Sequence, residues 1–235
     1  MRSALEQLLL PAECLVCHGL LGDAHAGDLV CPVCRLRWRP VRPPWCARCG
    51  QPEPHFGPCR LCREWPEALQ GVRSGVWLDG GAREAVHALK YRGLPRIAAD
   101  LADVLVRLLP RPARGAQLVP IPLGPARLKR RGYNQSEALG RALGRRWGLA
   151  VRSQLLVRER DTATQTALTP AARLANVAGA FRVRNGESQK PLIVLVDDVF
   201  TTGATLAEAA RVLGEAGFPS ITAVTFGRAS IPDFT

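Results

Sequence analysis

The sequence predicts an α/β fold, a parallel sheet flanked by helices, with a metal-binding ribbon segment at its N-terminal end. Three observations lead there. All eight cysteines fall between Cys14 and Cys62, in four Cys-x-x-Cys pairs. Beyond them, short apolar runs rich in β-branched residues alternate with stretches of helical periodicity, the order that builds parallel sheets. Residues 192–205, last, pass from a buried strand through two adjacent carboxylates into a hydroxyl-rich turn and then a helix.

The cysteine pairs are Cys14 and Cys17, Cys31 and Cys34, Cys46 and Cys49, and Cys59 and Cys62. Two residues between thiolates let both sulfurs reach one tetrahedral ion, so the spacing points to two structural zinc ions. An iron–sulfur or redox role is the competing reading of the same pairs. Disulfides would compete in an exported protein, but residues 1–10 hold one short apolar run, residues 8–10, too brief for a signal peptide or a membrane span. The expectation is a cytoplasmic protein with reduced, metallated thiolates. Sequential pairing puts Cys14, Cys17, Cys31 and Cys34 on one ion and Cys46, Cys49, Cys59 and Cys62 on the other, closing two modest loops; a cross-braced arrangement needs longer excursions, so the sequential one is preferred. His18, His25 and His55 read as solvated loop residues, because eight thiolates already fill two tetrahedra.

A chain of 235 residues that is 47% hydrophobic can bury a real core in one or two domains. Residues 1–66 read as a double zinc-ribbon domain and residues 67–235 as the α/β domain. Pro40, Pro43 and Pro44 separate the two ribbons, and Pro66 closes the second. The formal net charge of +12 counts the thiols as neutral. Eight thiolates on two zinc ions add about −4 and leave about +8. Residues 1–66 hold eight Arg against six Asp plus Glu, so their share turns slightly negative on metallation. The basic character belongs to the second domain, where a positive field suits a polyanionic ligand and nucleic acid equally.

Along that domain, residues 72–78 read as a strand and residues 82–88 as a short helix. Ile97, Leu101, Val104, Leu105 and Leu108 form one apolar stripe of an amphipathic helix. Residues 118–122 make a second apolar strand, residues 136–147 a helix, and residues 193–196 and 221–226 further strands, with Gly217 placed as a helix stop. In such a sheet the ligand sits beyond the carboxyl ends of the strands.

The richest chemistry lies in residues 192–205. The apolar run 192–196 suits a strand buried on both faces. Asp197 and Asp198 then emerge together, Thr201, Thr202, Gly203, Ala204 and Thr205 form the turn, and Leu206, Ala209, Ala210 and Leu213 follow at helical spacing. Helix-start N–H groups and the helix dipole favour an anion at the turn, Gly203 permits close backbone approach, and the threonine hydroxyls donate. Ionised carboxylates only accept hydrogen bonds, so Asp197 and Asp198 suit hydroxyls beside that phosphate. A ribose 5-phosphate unit supplies both halves. The lysine of a Walker A loop is absent, which argues against an ordinary NTPase site.

This run resembles the loop that binds phosphoribosyl pyrophosphate (PRPP) in type I phosphoribosyltransferases. Leu89-Lys90-Tyr91-Arg92-Gly93 resembles the loop that holds pyrophosphate in the same enzymes, with Lys90 and Arg92 on its oxygens. Residues 158–165 are polar and poorly patterned, as a mobile lid would be. Val119-Pro120-Ile121-Pro122, Arg131-Gly132-Tyr133-Asn134-Gln135, Thr162-x-x-Gln165, Arg173-x-x-Asn176 and the acidic loop occur in the order found in the ComF family, and the cysteine pairs match its double zinc ribbon. The resemblance covers nearly the whole chain. It implies a type I phosphoribosyltransferase-like domain, PRPP with magnesium as ligand, and a role in natural transformation, where single-stranded DNA enters the cytosol. No N-terminal cysteine nucleophile or glutaminase domain is expected ahead of this chain, a departure from the true amidophosphoribosyltransferases.

Two functional readings follow. In the enzymatic one, a phosphoribosyl group is transferred from PRPP, with Asp197, Asp198 and Lys90 as the catalytic set; the acceptor is unassigned, and nucleotide metabolism or salvage is one setting. In the other, the same scaffold binds single-stranded DNA, with phosphates on Arg127, Lys129, Arg130 and Arg131 and a base stacked on Tyr133. A protein of the uptake machinery is a further expected partner, docked on the ribbons.

Overall fold

The computed structural model describes residues 12–25, 27–52, 59–160, 177–184 and 190–230. After the short helix α1 (Pro32–Arg37), the α/β part runs β1 (Leu69–Trp77), α2 (Gly80–Tyr91), α3 (Ala98–Leu108), β2 (Gln117–Pro120), α4 (Pro125–Arg131) and α5 (Gln135–Trp147). Then come β3 (Leu156–Arg158), β4 (Phe181–Val183), β5 (Ile193–Phe200), α6 (Ala204–Glu215) and β6 (Ile221–Arg228). Four strands form one parallel sheet in the order β1-β6-β5-β2, and β3 and β4 pair antiparallel beside it.

Both faces of the sheet are covered, which explains the uninterrupted apolar runs of its central strands. On β5, Val194 and Val196 pack with α2, α3 and α5, whereas Ile193 and Leu195 pack with α6. The neighbouring β6 repeats the pattern, with Val224 and Phe226 on the first side and Ile221 and Ala223 on the second. Period two along β5 therefore sends Asp198 toward the α2 and α5 side.

Local chemistry sets the ends of the helices that flank the site. In α4, Pro125 occupies the first turn and Gly132 closes the helix at φ 80°, a conformation that costs glycine no Cβ clash. Asn134 caps α5 by accepting from the Ser136 N–H at 3.0 Å. The α6 helix ends at Glu215, two residues before Gly217.

Differences from the sequence reading are local. The strand expected over 118–122 stops at Pro120, since Pro122 has no N–H to extend a ladder. The helix expected over 82–88 runs from Gly80 to Tyr91, so Lys90 and Tyr91 lie in its last turn rather than in a loop. Periodicity alone does not reveal α4, whose seven residues bury no side chain fully.

The ribbons sit directly on this sheet. Trp38 meets Phe226 of β6 edge-on with ring centroids 5.2 Å apart, and Arg35 of α1 donates to the buried Asp100 of α3 at 2.9 Å. Around the second ribbon, Arg48 donates to the carbonyls of Cys62, Trp65 and Pro66 at 3.0, 2.9 and 2.7 Å. Among the described residues, no helix is long and apolar enough to cross a membrane.

Candidate functional site

The eight thiols assemble as the sequential pairing requires. Cys14, Cys17, Cys31 and Cys34 form one group and Cys46, Cys49, Cys59 and Cys62 the other, with all sulfurs of a group within 4.8 Å of one another. Sulfur pairs stand 3.8 Å apart for Cys17 and Cys31, 3.7 Å for Cys46 and Cys62, and 3.6 Å for Cys49 and Cys59. Four sulfurs at about 2.3 Å from a tetrahedral zinc are separated by about 3.8 Å, so both groups fit the ion. Backbone N–H groups point at the sulfurs as well, from Cys31 to Cys14 at 3.3 Å and from Gln51 to Cys49 at 3.4 Å, a pattern that favours thiolate over thiol. The two tetrads fit two structural zinc ions.

At the carboxyl end of β5, one cavity of about 560 Å³ collects most of the groups that the sequence singled out. Its lining includes Lys90, Asp197, Asp198, Thr201, Gly203, Ala204 and Thr205. The α4 arginines Arg127, Arg130 and Arg131 line the same cavity. Thr202 is buried behind the turn, with its hydroxyl 3.5 Å from the Ala204 N–H.

The acid pair is held from two helices. Lys90 of α2 forms an ion pair with Asp198, whose other oxygen accepts from Gln135 Nε2 at 3.1 Å. Ser136 donates to Asp197 at 2.7 Å, and the Asp198 N–H donates to the same carboxylate oxygen at 2.9 Å. Burial first, and the neighbouring Asp198 charge second, push Asp197 up to about 7. Burial also pushes Asp198 upward, but Lys90 outweighs it and holds Asp198 below its ordinary value. For Lys90, burial opposes the charge and the facing Asp198 more than restores it, so the ammonium titrates above its ordinary range. The pair thus carries one firm negative charge and one that is switchable near neutrality.

Other expected residues take different positions. Arg92 caps α2 in an exposed position, with its guanidinium 3.4 Å from Glu84. Lys129 is exposed on α4. Tyr133 donates its hydroxyl to the Leu89 carbonyl and packs its ring against the core, while Tyr91, 66% exposed, lines the cavity with Arg131 5.3 Å from its ring centre. His55, Thr162, Gln165, Arg173 and Asn176 lie outside the described residues, as does most of the lid segment expected over 158–165.

Sequence reasoning gave no contact to Gln135, which it named only within a motif, none to Ser136, His87 or Arg83, and placed Arg158 only at the start of the expected lid. Gln135 and Ser136 hold the acids, and the others line the cavity. The available signal for the first two was the capping asparagine, which fixes where α5 begins and so which side chains its first turn presents.

Comparison with known proteins agrees with this architecture. Residues 5–63 match the family described as "Double zinc ribbon domain". The "DNA utilization protein YhgH" of Salmonella typhimurium is 38% identical over 213 residues, covering 88% of this chain and 92% of the relative. "Competence protein F" of Haemophilus influenzae is 28% identical over 227 residues, covering 92% and 97%. "Competence protein ComFC" of Bacillus subtilis is 29% identical over 200 residues, covering 81% and 80%.

Proposed function

This chain belongs to the ComF family, and from that premise we propose that it is a PRPP-binding protein of natural transformation, acting in the uptake and handling of single-stranded DNA. The relatives' names, which speak of competence and of DNA utilization, support the setting. One observation carries the ligand: a single cavity joins an acid pair, a lysine and a hydroxyl-rich helix start. In this reading residues 1–66 are the ribbon domain and residues 67–235 the phosphoribosyltransferase-like domain.

Residues 201–205 take the 5-phosphate on the first turn of α6, where N–H groups lack intrahelical partners. Asp197 and Asp198 accept hydrogen bonds from the ribose hydroxyls, and Lys90 neutralises pyrophosphate oxygens. Magnesium bound with the pyrophosphate supplies further charge neutralisation for a leaving group. In the unliganded protein Lys90 and Asp198 neutralise each other, so the ligand enters a site whose charges are already oriented. Arg92 joins this set only by leaving Glu84. The phosphates of a DNA strand run along Arg127, Lys129, Arg130 and Arg131.

Titration of the protein with PRPP and magnesium in a calorimeter tests the ligand, and saturable binding that inorganic pyrophosphate competes away is the expected result. Absence of binding would remove PRPP. A cavity of about 560 Å³ also suits turnover, the reading as a phosphoribosyltransferase of nucleotide metabolism. Pyrophosphate release in the presence of nucleobases, amines or DNA separates an enzyme from a binder.

A further inference from the structure

The second ribbon reaches the phosphate turn itself. Trp65 lies three residues beyond Cys62, its N–H bonded to the Cys62 carbonyl at 3.2 Å, and its side chain is only 6% exposed. Its ring meets Phe200 edge-on with centroids 6.1 Å apart, and it lies against Gly203, the residue that opens α6 at φ 78°. A Cβ at Gly203 would overlap the indole and would approach Phe200 to 3.0 Å. The indole therefore presses on the one residue of the turn that has no side chain.

A second connection runs parallel to the first. Arg228, buried at the end of β6, donates to the Cys49 carbonyl at 2.9 Å and to Gln51 Oε1 at 2.7 Å. The same guanidinium lies 4.3 Å from the centre of the Phe200 ring, and the Phe200 carbonyl accepts from the Ala229 N–H at 2.9 Å. Phe200, immediately before the turn, is thus clamped between the two halves of the second metal knuckle: Trp65 beyond Cys62, and Arg228 on Cys49. Among the described residues the first ribbon has no such place; its Val16 and Trp38 abut Gly81 at the opposite end of α2 from Lys90.

We propose that the second zinc ribbon is a structural part of the phosphate site, with Trp65 as a positioning residue that holds residues 201–205 in their ligand-receiving shape through Gly203 and Phe200. This rests on the reading of that turn as the 5-phosphate site. Packed interiors transmit displacement because they leave no slack, so a knuckle that opens moves the turn. A turn that spends about a tenth of its time in the receiving shape lowers apparent affinity about tenfold, without altering a single group that touches ligand.

The test is an amide spectrum of the full-length zinc-loaded protein combined with PRPP titration. Trp65→Leu is expected to shift the amides of residues 201–205 and to weaken PRPP about tenfold, and Trp65→Phe, which restores a ring over Gly203, is expected to recover most of both. Cys62→Ser, which opens the second tetrad, is expected to move the same amides, and Cys17→Ser, which opens the first, to move them much less. Unmoved amides in Trp65→Leu and Cys62→Ser would overturn the proposal, as would equal shifts from Cys17→Ser. Should Trp65→Leu not fold, Cys62→Ser compared with Cys17→Ser decides by the same shifts. If the wild type binds no PRPP, the ligand reading falls, and the amide shifts still decide whether Trp65 positions the turn.

Discussion

Asp198→Asn tests the charge logic of the site. Asp198 is 3% exposed, holds Lys90 and Gln135, and stands beside Asp197. The rise of Asp197 from 3.8 to about 7 represents on the order of 4 kcal/mol opposing its ionisation, shared between burial and the Asp198 charge. A protonated Asp197 has lost acceptor capacity for a ribose hydroxyl. Wild-type affinity for PRPP with magnesium should therefore rise as pH passes through about 7 and level off above it. Removing the Asp198 charge should move that rise to lower pH. At pH 8 the variant should bind about 10- to 150-fold more weakly, the equivalent of one charged hydrogen bond of about 1.5 to 3 kcal/mol. In the unliganded protein the sign reverses. A carboxyl whose folded pKa is raised contributes stability at low pH that is lost as pH climbs from about 4 through about 7, so wild-type Tm should fall over that window and Asp197→Asn should flatten the fall. Calorimetry from pH 5.5 to 8.5 reads the binding and a thermal melt reads the stability. A wild-type affinity independent of pH, or an Asp198→Asn profile with an unmoved midpoint, would refute the assigned coupling.

The remaining expectations concern metal, rings and salt. Purified protein should carry two zinc ions per chain by elemental analysis, and Cys14→Ser and Cys59→Ser should each remove one. Tyr133→Phe should cost about 1 kcal/mol of stability, read by urea unfolding, because its hydroxyl serves the Leu89 carbonyl. Tyr91→Ala should instead weaken single-stranded DNA by about 1 to 3 kcal/mol if its exposed ring stacks on a base. Replacing Arg127, Lys129 and Arg130 by Ala should flatten the log–log salt dependence of single-strand affinity by about two, at roughly 0.7 per phosphate. An unchanged slope in fluorescence anisotropy would take α4 off the strand. Asp197→Asn should weaken PRPP and leave strand affinity intact in the same assay.

The parallel sheet and the ribbons were legible because each rests on a local regularity. Four identical cysteine spacings needed only the reach of two thiolates, and the apolar runs on β5 and β6 needed only a sheet covered on both faces. The acids and the turn were legible for the same reason, since two carboxylates and three threonine hydroxyls lie within nine consecutive residues. What stayed hidden is tertiary. That Lys90 meets Asp198 depends on α2 ending one turn later than its apolar pattern suggests. That Ser136 and Gln135 hold the acids depends on where α5 packs across the sheet end. Tyr133 reads as an exposed stacking ring in a basic segment, but the glycine stop of α4 at Gly132 turns the chain and sends the ring toward α2.

Arginines and acids in one cavity make opposite demands on a ligand. A phosphodiester backbone is drawn by Arg127, Arg130 and Arg131 and repelled by the carboxylates on the floor. A ligand with hydroxyls beside its phosphates satisfies both, because an ionised acid accepts the hydrogen bonds that hydroxyls donate. Deoxyribose in a strand has no vicinal diol, and its 3′ and 5′ oxygens are esterified. The sugar–phosphate backbone of DNA therefore offers Asp197 and Asp198 no hydroxyl donor, whereas PRPP, the proposed ligand, brings free ribose hydroxyls together with a pyrophosphate. On the proposed reading the acids would select ribose phosphate and the α4 arginines would serve a strand, so the two ligands should interfere through the shared arginine charge while the acids respond to PRPP alone.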